Sequence, residues 1–201
     1  MNTKLTYSQS PWSLDDLFQG FDDPAIEATY QKLEAQVAEF EKYRSTLTSD
    51  ISEQKFMEMV KSLEAMEKLG YKIYGFAQLS FAADTQNQKA LIALARIQQF
   101  AAEISNRTLF FSLWWKGLDD ANAERLLAAS GDYRYWLEQM RNFKPYTLSE
   151  PEEKVINIKN VTGWNALNTL YDSITNRYVF HLEVDGETKE LTRGELMTYV
   201  H

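Results

Sequence analysis

The sequence contains no cysteine and only two histidines, His181 and His201, in 201 residues. The first absence removes thiol nucleophiles, Cys-ligated zinc, iron–sulfur clusters and disulfide staples. The second excludes a histidine-rich metal site. Neither histidine has a glutamate three residues before it, so the Glu-x-x-His pairs of di-metal carboxylate bundles are missing too. The glycine patterns that cradle phosphates or dinucleotides and the Gly-x-Ser-x-Gly turn of serine hydrolases do not occur, which leaves those chemistries without support.

Long apolar runs are also lacking. The most apolar stretch, Leu109 to Trp115, is interrupted by Ser112 and falls far short of the roughly 20 residues that cross a bilayer. The opening Met1-Asn2-Thr3-Lys4-Leu5-Thr6-Tyr7 lacks the apolar centre of a secretory signal. A cytoplasmic location without a membrane partner is therefore expected. Basic residues are the minority, 21 against 29 acidic, for a net charge of −8; that sign repels phosphate backbones and predicts no nucleic-acid partner.

What is present is helical periodicity, and it predicts a mainly α fold: an antiparallel bundle of long helices with a small C-terminal β-hairpin. At 23.4 kDa a compact chain exposes roughly 9,700 Å² and buries about 70% of its extended surface, enough for one sizeable core or two small ones. Asp23-Pro24 is a helix start, a cap followed by proline where no N–H is needed. Ile26, Tyr30, Leu33, Val37 and Phe40 then recur every three or four residues, one apolar face. Ser52 caps a second helix burying Phe56, Val60, Leu63, Met66, Ile73 and Phe76, with a kink or close helix approach expected at Gly70. Thr85-Gln86-Asn87-Gln88 has capping-box spacing and opens a third helix. Its seam is Ala90, Leu94, Ile97, Ala101, Ile104, Thr108, Phe111 and Trp115.

Shorter elements follow. Gly117 stands as a C-terminal cap, Asp119 or Asp120 starts a helix ending near Ser130-Gly131, and Asp132 starts another carrying Tyr133, Trp136, Leu137 and Met140. That helix stops before Lys144-Pro145. Ser149-Glu150-Pro151-Glu152 opens the next, and Gly163 separates it from one reaching about Ser173. The period then becomes two: Tyr178, Phe180, Leu182 and Val184 alternate with polar partners, turn at Asp185-Gly186, and return through Lys189 and Leu191. Thr192-Arg193-Gly194-Glu195 is a capping box followed by few residues, a helix begun and cut short. The expected division is a helical lobe over residues 1–176, then hairpin and helix start over 177–201.

Three constellations bear on chemistry. His181, Glu183 and Asp185 share one strand face and read either as hard metal ligands or as the solvent face of a half-buried hairpin, the reading favoured by the apolar residues between them. Phe110-Phe111-Ser112-Leu113-Trp114-Trp115 is apolar all round a helix, hence buried on every side; packing against a second lobe is preferred over an aromatic ligand subsite. Asp172, Asn176 and Arg177, where helix meets hairpin, either reach a substrate or cap the helix and brace the hairpin, with bracing preferred. The remaining carboxylates read as solvated helix faces.

Several stretches together resemble the N-terminal part of oligoendopeptidase F, in the thimet-oligopeptidase superfamily of zinc metallopeptidases. They are Trp12-Ser13-Leu14-Asp15-Asp16-Leu17, Phe81-Ala82-Ala83-Asp84-Thr85, Lys144-Pro145-Tyr146-Thr147-Leu148-Ser149-Glu150-Pro151-Glu152-Glu153-Lys154, Leu170-Tyr171-Asp172-Ser173-Ile174-Thr175, and Val184-Asp185-Gly186-Glu187 through Leu191-Thr192-Arg193-Gly194-Glu195-Leu196. The resemblance implies cleavage of short peptides in a channel between two largely helical lobes. In such enzymes a His-Glu-x-x-His helix supplies two zinc ligands and the general base. Nothing here matches that motif: Leu182-Glu183-Val184 follows His181, and His201 is the last residue. No catalytic, cofactor-binding or metal residue is therefore assigned and no substrate-contact residue is fixed. The 201-residue chain is expected to be inactive and to bind no zinc itself, zinc belonging to the full-length enzyme. Its implied partners are an oligopeptide substrate and a C-terminal catalytic lobe of the same protein. The competing expectation is a stand-alone helical interaction module whose aromatic patch binds a protein.

Overall fold

A computed structural model describes residues 12–184 and 186–199. Asp185 of the hairpin turn, the N-terminal segment up to residue 11, and His201 lie outside the described residues.

The first helix, α1 (Pro24–Glu41), begins where the Asp23 carboxylate accepts the Ala25 N–H, and it buries Tyr30, Leu33, Val37 and Phe40. The second, α2 (Glu53–Ala83), is capped by the Ser52 hydroxyl and runs as one helix through Gly70. A Cβ built on Gly70 meets only Leu33 Cδ2, at 3.9 Å; this is ordinary contact rather than a close crossing. The third, α3 (Gln88–Gly117), starts two residues later than a Thr85 cap predicts. The Asn87 carboxamide oxygen accepts the N–H groups of Lys89 and Ala90, while Asp84 accepts that of Gln86. Two Asx side chains thus close successive turns, and Asn87 rather than Thr85 is the cap of α3. Gly117 is the last helical residue and Leu118 the cap.

These helices form an up-down-up three-helix bundle. Arg96 on α3 pairs with Glu27 on α1, and Arg107 with Glu34 and Glu41; the order shows α1 and α3 parallel, with α2 antiparallel to both. Two apolar clusters result. One gathers Val37, Phe40, Phe56, Met59, Phe111 and Trp115 with side chains of two short helices, α4 (Asp120–Ala128) and α5 (Arg134–Asn142). The other gathers Phe18, Tyr30, Ile73, Phe76, Phe81 and Leu94. The Trp115 indole N–H donates to the Leu137 carbonyl at 2.9 Å, so the polar end of the largest buried ring is satisfied. Phe110, Phe111 and Trp115 are therefore covered by the chain's own helices. That corrects the expectation that the aromatic run awaits a second lobe, and it removes the contact patch on which the interaction-module reading rested. A helix apolar on every side marks burial but does not name the burier.

Beyond a 3₁₀ turn at Lys144–Tyr146, α6 (Glu150–Asn160) opens with the predicted Ser149/Glu152 capping box. Gly163 does not separate two helices as expected. A π-helical turn, Val161–Asn165, carries α6 directly into α7 (Ala166–Thr175). The wider π turn takes up an extra residue without breaking the rod. Strands β1 (Phe180–Val184) and β2 (Glu187–Leu191) pair antiparallel, with Phe180 opposite Leu191 and Val184 opposite Glu187. Gly186 takes φ +81°, a conformation glycine adopts without strain. A five-residue helix, α8 (Arg193–Met197), follows behind the predicted Thr192/Glu195 box.

Candidate functional site

The predicted seam of α3 is buried at both ends but not in the middle. Ala90, Leu94, Ile97, Phe111 and Trp115 are buried, whereas Ala101 is exposed and Ile104 and Thr108 are half-buried. Between them lies a concave pocket of about 410 Å³ bounded by α2 and α3, with Leu33 of α1 also in its lining. That volume falls within the range of ligand pockets, and apolar walls with few polar groups are their usual lining. Small residues make the space: Gly70 on α2 and Ala101 on α3 both line it, beside Leu63, Tyr71, Phe100 and Ile104. Glu67 is its one carboxylate. Loss of hydration, then the neighbouring Glu64 charge, hold the Glu67 carboxyl above the usual range. Glu64 is itself engaged by the Tyr133 hydroxyl at 2.7 Å and by Lys68 at 2.8 Å; Glu67 makes no ion pair or side-chain hydrogen bond within the described residues.

A second unusual surface runs along α6, the π turn and α7. None of the three segments has a buried residue. Val155 and Ile158 are more than half exposed, and Trp164, Leu167, Tyr171 and Ile174 continue the apolar surface. The last four recur at spacings of three, four and three, a helical stripe of the kind that faces a core. The rod is held to the bundle by polar contacts instead. Arg44 grips Glu150 through two hydrogen bonds of 3.0 and 2.6 Å, Asn106 donates to the Lys154 carbonyl, and Asn157 donates to the Asn106 side chain. This stripe was readable in the sequence as a period of three and four; the aromatic run at Phe110–Trp115 drew the attention instead.

The residues singled out beforehand do not converge. Asn176 and Arg177 line an open polar cleft of about 690 Å³ with the Asp84–Gln86 turn and Thr192–Gly194. Asp172 lines a separate one of about 220 Å³ beside Tyr74 and Gln78. No side-chain hydrogen bond joins these three residues to the hairpin within the described residues; the Asn176 N–H donates to the Asp172 carbonyl and closes the end of α7. His181 and Glu183 are exposed on one strand face, and Glu190 on the paired strand places its Oε1 3.9 Å from the His181 Nδ1. Among the described residues no three His, Asp or Glu side chains are placed to hold a metal ion. The side chains present therefore do not fit zinc.

Residues 114–180 match the family profile described as Oligopeptidase F. The matched span includes Lys144–Lys154 and Leu170–Thr175, two of the stretches on which the resemblance was read. The crystal structure of oligoendopeptidase-F from Enterococcus faecium superposes with a TM-score of 0.70, at 19% identity, over 85% of this chain and 33% of that one. Residues 114–180 are thus similar to the Oligopeptidase F family, and the fold is similar to that of an oligoendopeptidase. The chain spans about a third of the length of that structural neighbour, and no curated protein matches the sequence. The uncovered stripe of α6 and α7 lies wholly inside the matched residues 114–180. No helix among the described residues is long and apolar enough to cross a membrane.

Proposed function

We propose that this chain is the helical lobe of a cytoplasmic zinc-dependent oligopeptidase, one wall of an interlobe channel in which short peptides are hydrolysed. The supporting observation is the Oligopeptidase F match over residues 114–180, borne on a fold that superposes on a third of an oligoendopeptidase. Within this reading, residues 1–176 form the lobe and residues 177–201 lead into the catalytic part. Catalytic and metal residues belong to that other part, and so does zinc. The exposed stripe from Trp164 to Ile174 is then a contact face for the same protein's other lobe. A channel between two lobes admits flexible peptides and excludes folded proteins on steric grounds.

The test is to express the longest open reading frame that contains these residues and to assay an internally quenched peptide with and without a chelator. Cleavage abolished by the chelator and restored by zinc is expected. A reading frame without a His-Glu-x-x-His segment, or cleavage indifferent to the chelator, refutes the proposal.

A further inference from the structure

We infer that the pocket between α2 and α3 is a peptide subsite that takes an apolar side chain of leucine or phenylalanine size next to a basic residue, the cation pairing with Glu67. The inference rests on the peptidase reading only for the ligand's being a peptide; the preference for an apolar group beside a cation comes from the residues themselves. The space exists because Gly70 and Ala101 withhold side chains where the α3 seam passes Leu33 and Phe100. Filling it with an apolar group removes from water walls that the bundle leaves wet. Tyr71 and Tyr74 stand exposed at its border, giving aromatic surface for a ring or an alkyl chain.

Charge decides the neighbour. Glu67 is the one charged residue in the pocket lining and has no counter-ion among the described residues, while Glu64 one turn earlier is already held by Lys68 and Tyr133. A carboxylate beside apolar walls interacts with an approaching charge more strongly than one in open water. Glu67 is open to solvent at the pocket edge, within reach of a ligand; a cation there offsets the repulsion from Glu64, whereas an anion adds to it. The net charge of −8 acts in the same direction at longer range.

The test uses the 201-residue chain, isotope-labelled for NMR, titrated with acetyl-Phe-Lys-amide, acetyl-Phe-Glu-amide and acetyl-Gly-Lys-amide. Phe-Lys is expected to bind about tenfold more tightly than either of the others, with shifts confined to residues 63–74 and 97–108. In Glu67→Gln the advantage over Phe-Glu falls to about threefold or less, while binding of the ring persists. Gly70→Leu and, from the opposite wall, Ala101→Leu fill the space and abolish binding, with melting curves confirming the fold. Equal binding of Phe-Lys and Gly-Lys, an unchanged ratio in Glu67→Gln, or undiminished binding in both folded filling variants overturns the subsite. Peptide binding as expected, in a protein whose full reading frame shows no chelator-sensitive cleavage, leaves the subsite standing and refutes the peptidase reading alone.

Discussion

Arg141 shows how one side chain closes several structural demands. Its guanidinium donates to the carbonyls of Trp115 and Leu118 at 2.6 and 2.9 Å, satisfying acceptors that the end of α3 leaves open, and it also reaches Asp120. Its side chain is only 12% exposed, whereas that of Asp120 is 96% exposed. The two partners therefore differ in worth. Arg141→Ala should cost about 2–3 kcal/mol in urea unfolding, because charged hydrogen bonds to half-buried carbonyls are lost. Asp120→Asn should cost less than about 0.5 kcal/mol, as an exposed ion pair does. Titration carries opposite signs at different residues. The Arg107 hydrogen bonds hold the Glu41 carboxyl low and those of Arg44 hold Glu150 low. Their stabilisation is present above the ordinary glutamate value of 4.5 and is lost as pH falls through the lowered values. Glu67 is raised, so its favourable contribution belongs to the protonated form and disappears as pH rises through its pKa. Unfolding free energy against pH should accordingly drop steeply below about pH 4.5, flatten there in Glu41→Gln, and rise near neutrality in Glu67→Gln.

At the scale of elements, local chemistry was legible wherever a single side chain fixes a terminus. Asp23-Pro24, Ser52, Asp119 and the boxes at Ser149 and Thr192 all cap helices where the residue order places them. The start of α3 was misplaced because Thr85 and Asn87 both satisfy a cap pattern, and sequence does not reveal which backbone N–H groups are left open. The distinction is measurable: Asn87→Ala should lower stability by about 1 kcal/mol and Thr85→Ala by only a few tenths. Gly163 was read as a break because glycine ordinarily ends helices. In the structure it sits in a π turn that keeps α6 and α7 one rod, an outcome set by how that rod lies on α3 through Asn106 and Asn157. The pocket was half legible. A small residue at Gly70 predicts a kink or a close approach, but whether it admits a neighbouring helix or leaves a void depends on what stands around it, here Leu33 at ordinary contact distance and Ala101 elsewhere in the lining.

Over the whole molecule, burial and exposure are inverted relative to a first reading of the aromatic residues. The ring-rich end of α3 closes one of two internal cores, while α6 and α7, which look unexceptional in composition, carry the uncovered apolar surface. The chain exposes 13,584 Å², well above the roughly 9,700 Å² of a compact monomer of its mass, and this face is part of the excess. A surface of that kind should drive weak self-association of the 201-residue chain. Sedimentation velocity should show concentration-dependent coefficients that Trp164→Lys with Leu167→Lys abolishes. The central claim, that this is one lobe whose α6–α7 face meets the rest of a peptidase, is tested most directly by hydrogen exchange. Amides of residues 150–175 should exchange at least tenfold more slowly in the protein carrying the full reading frame than in the 201-residue chain, with the α1–α3 core unchanged. Equal exchange of residues 150–175 in the two proteins would contradict it.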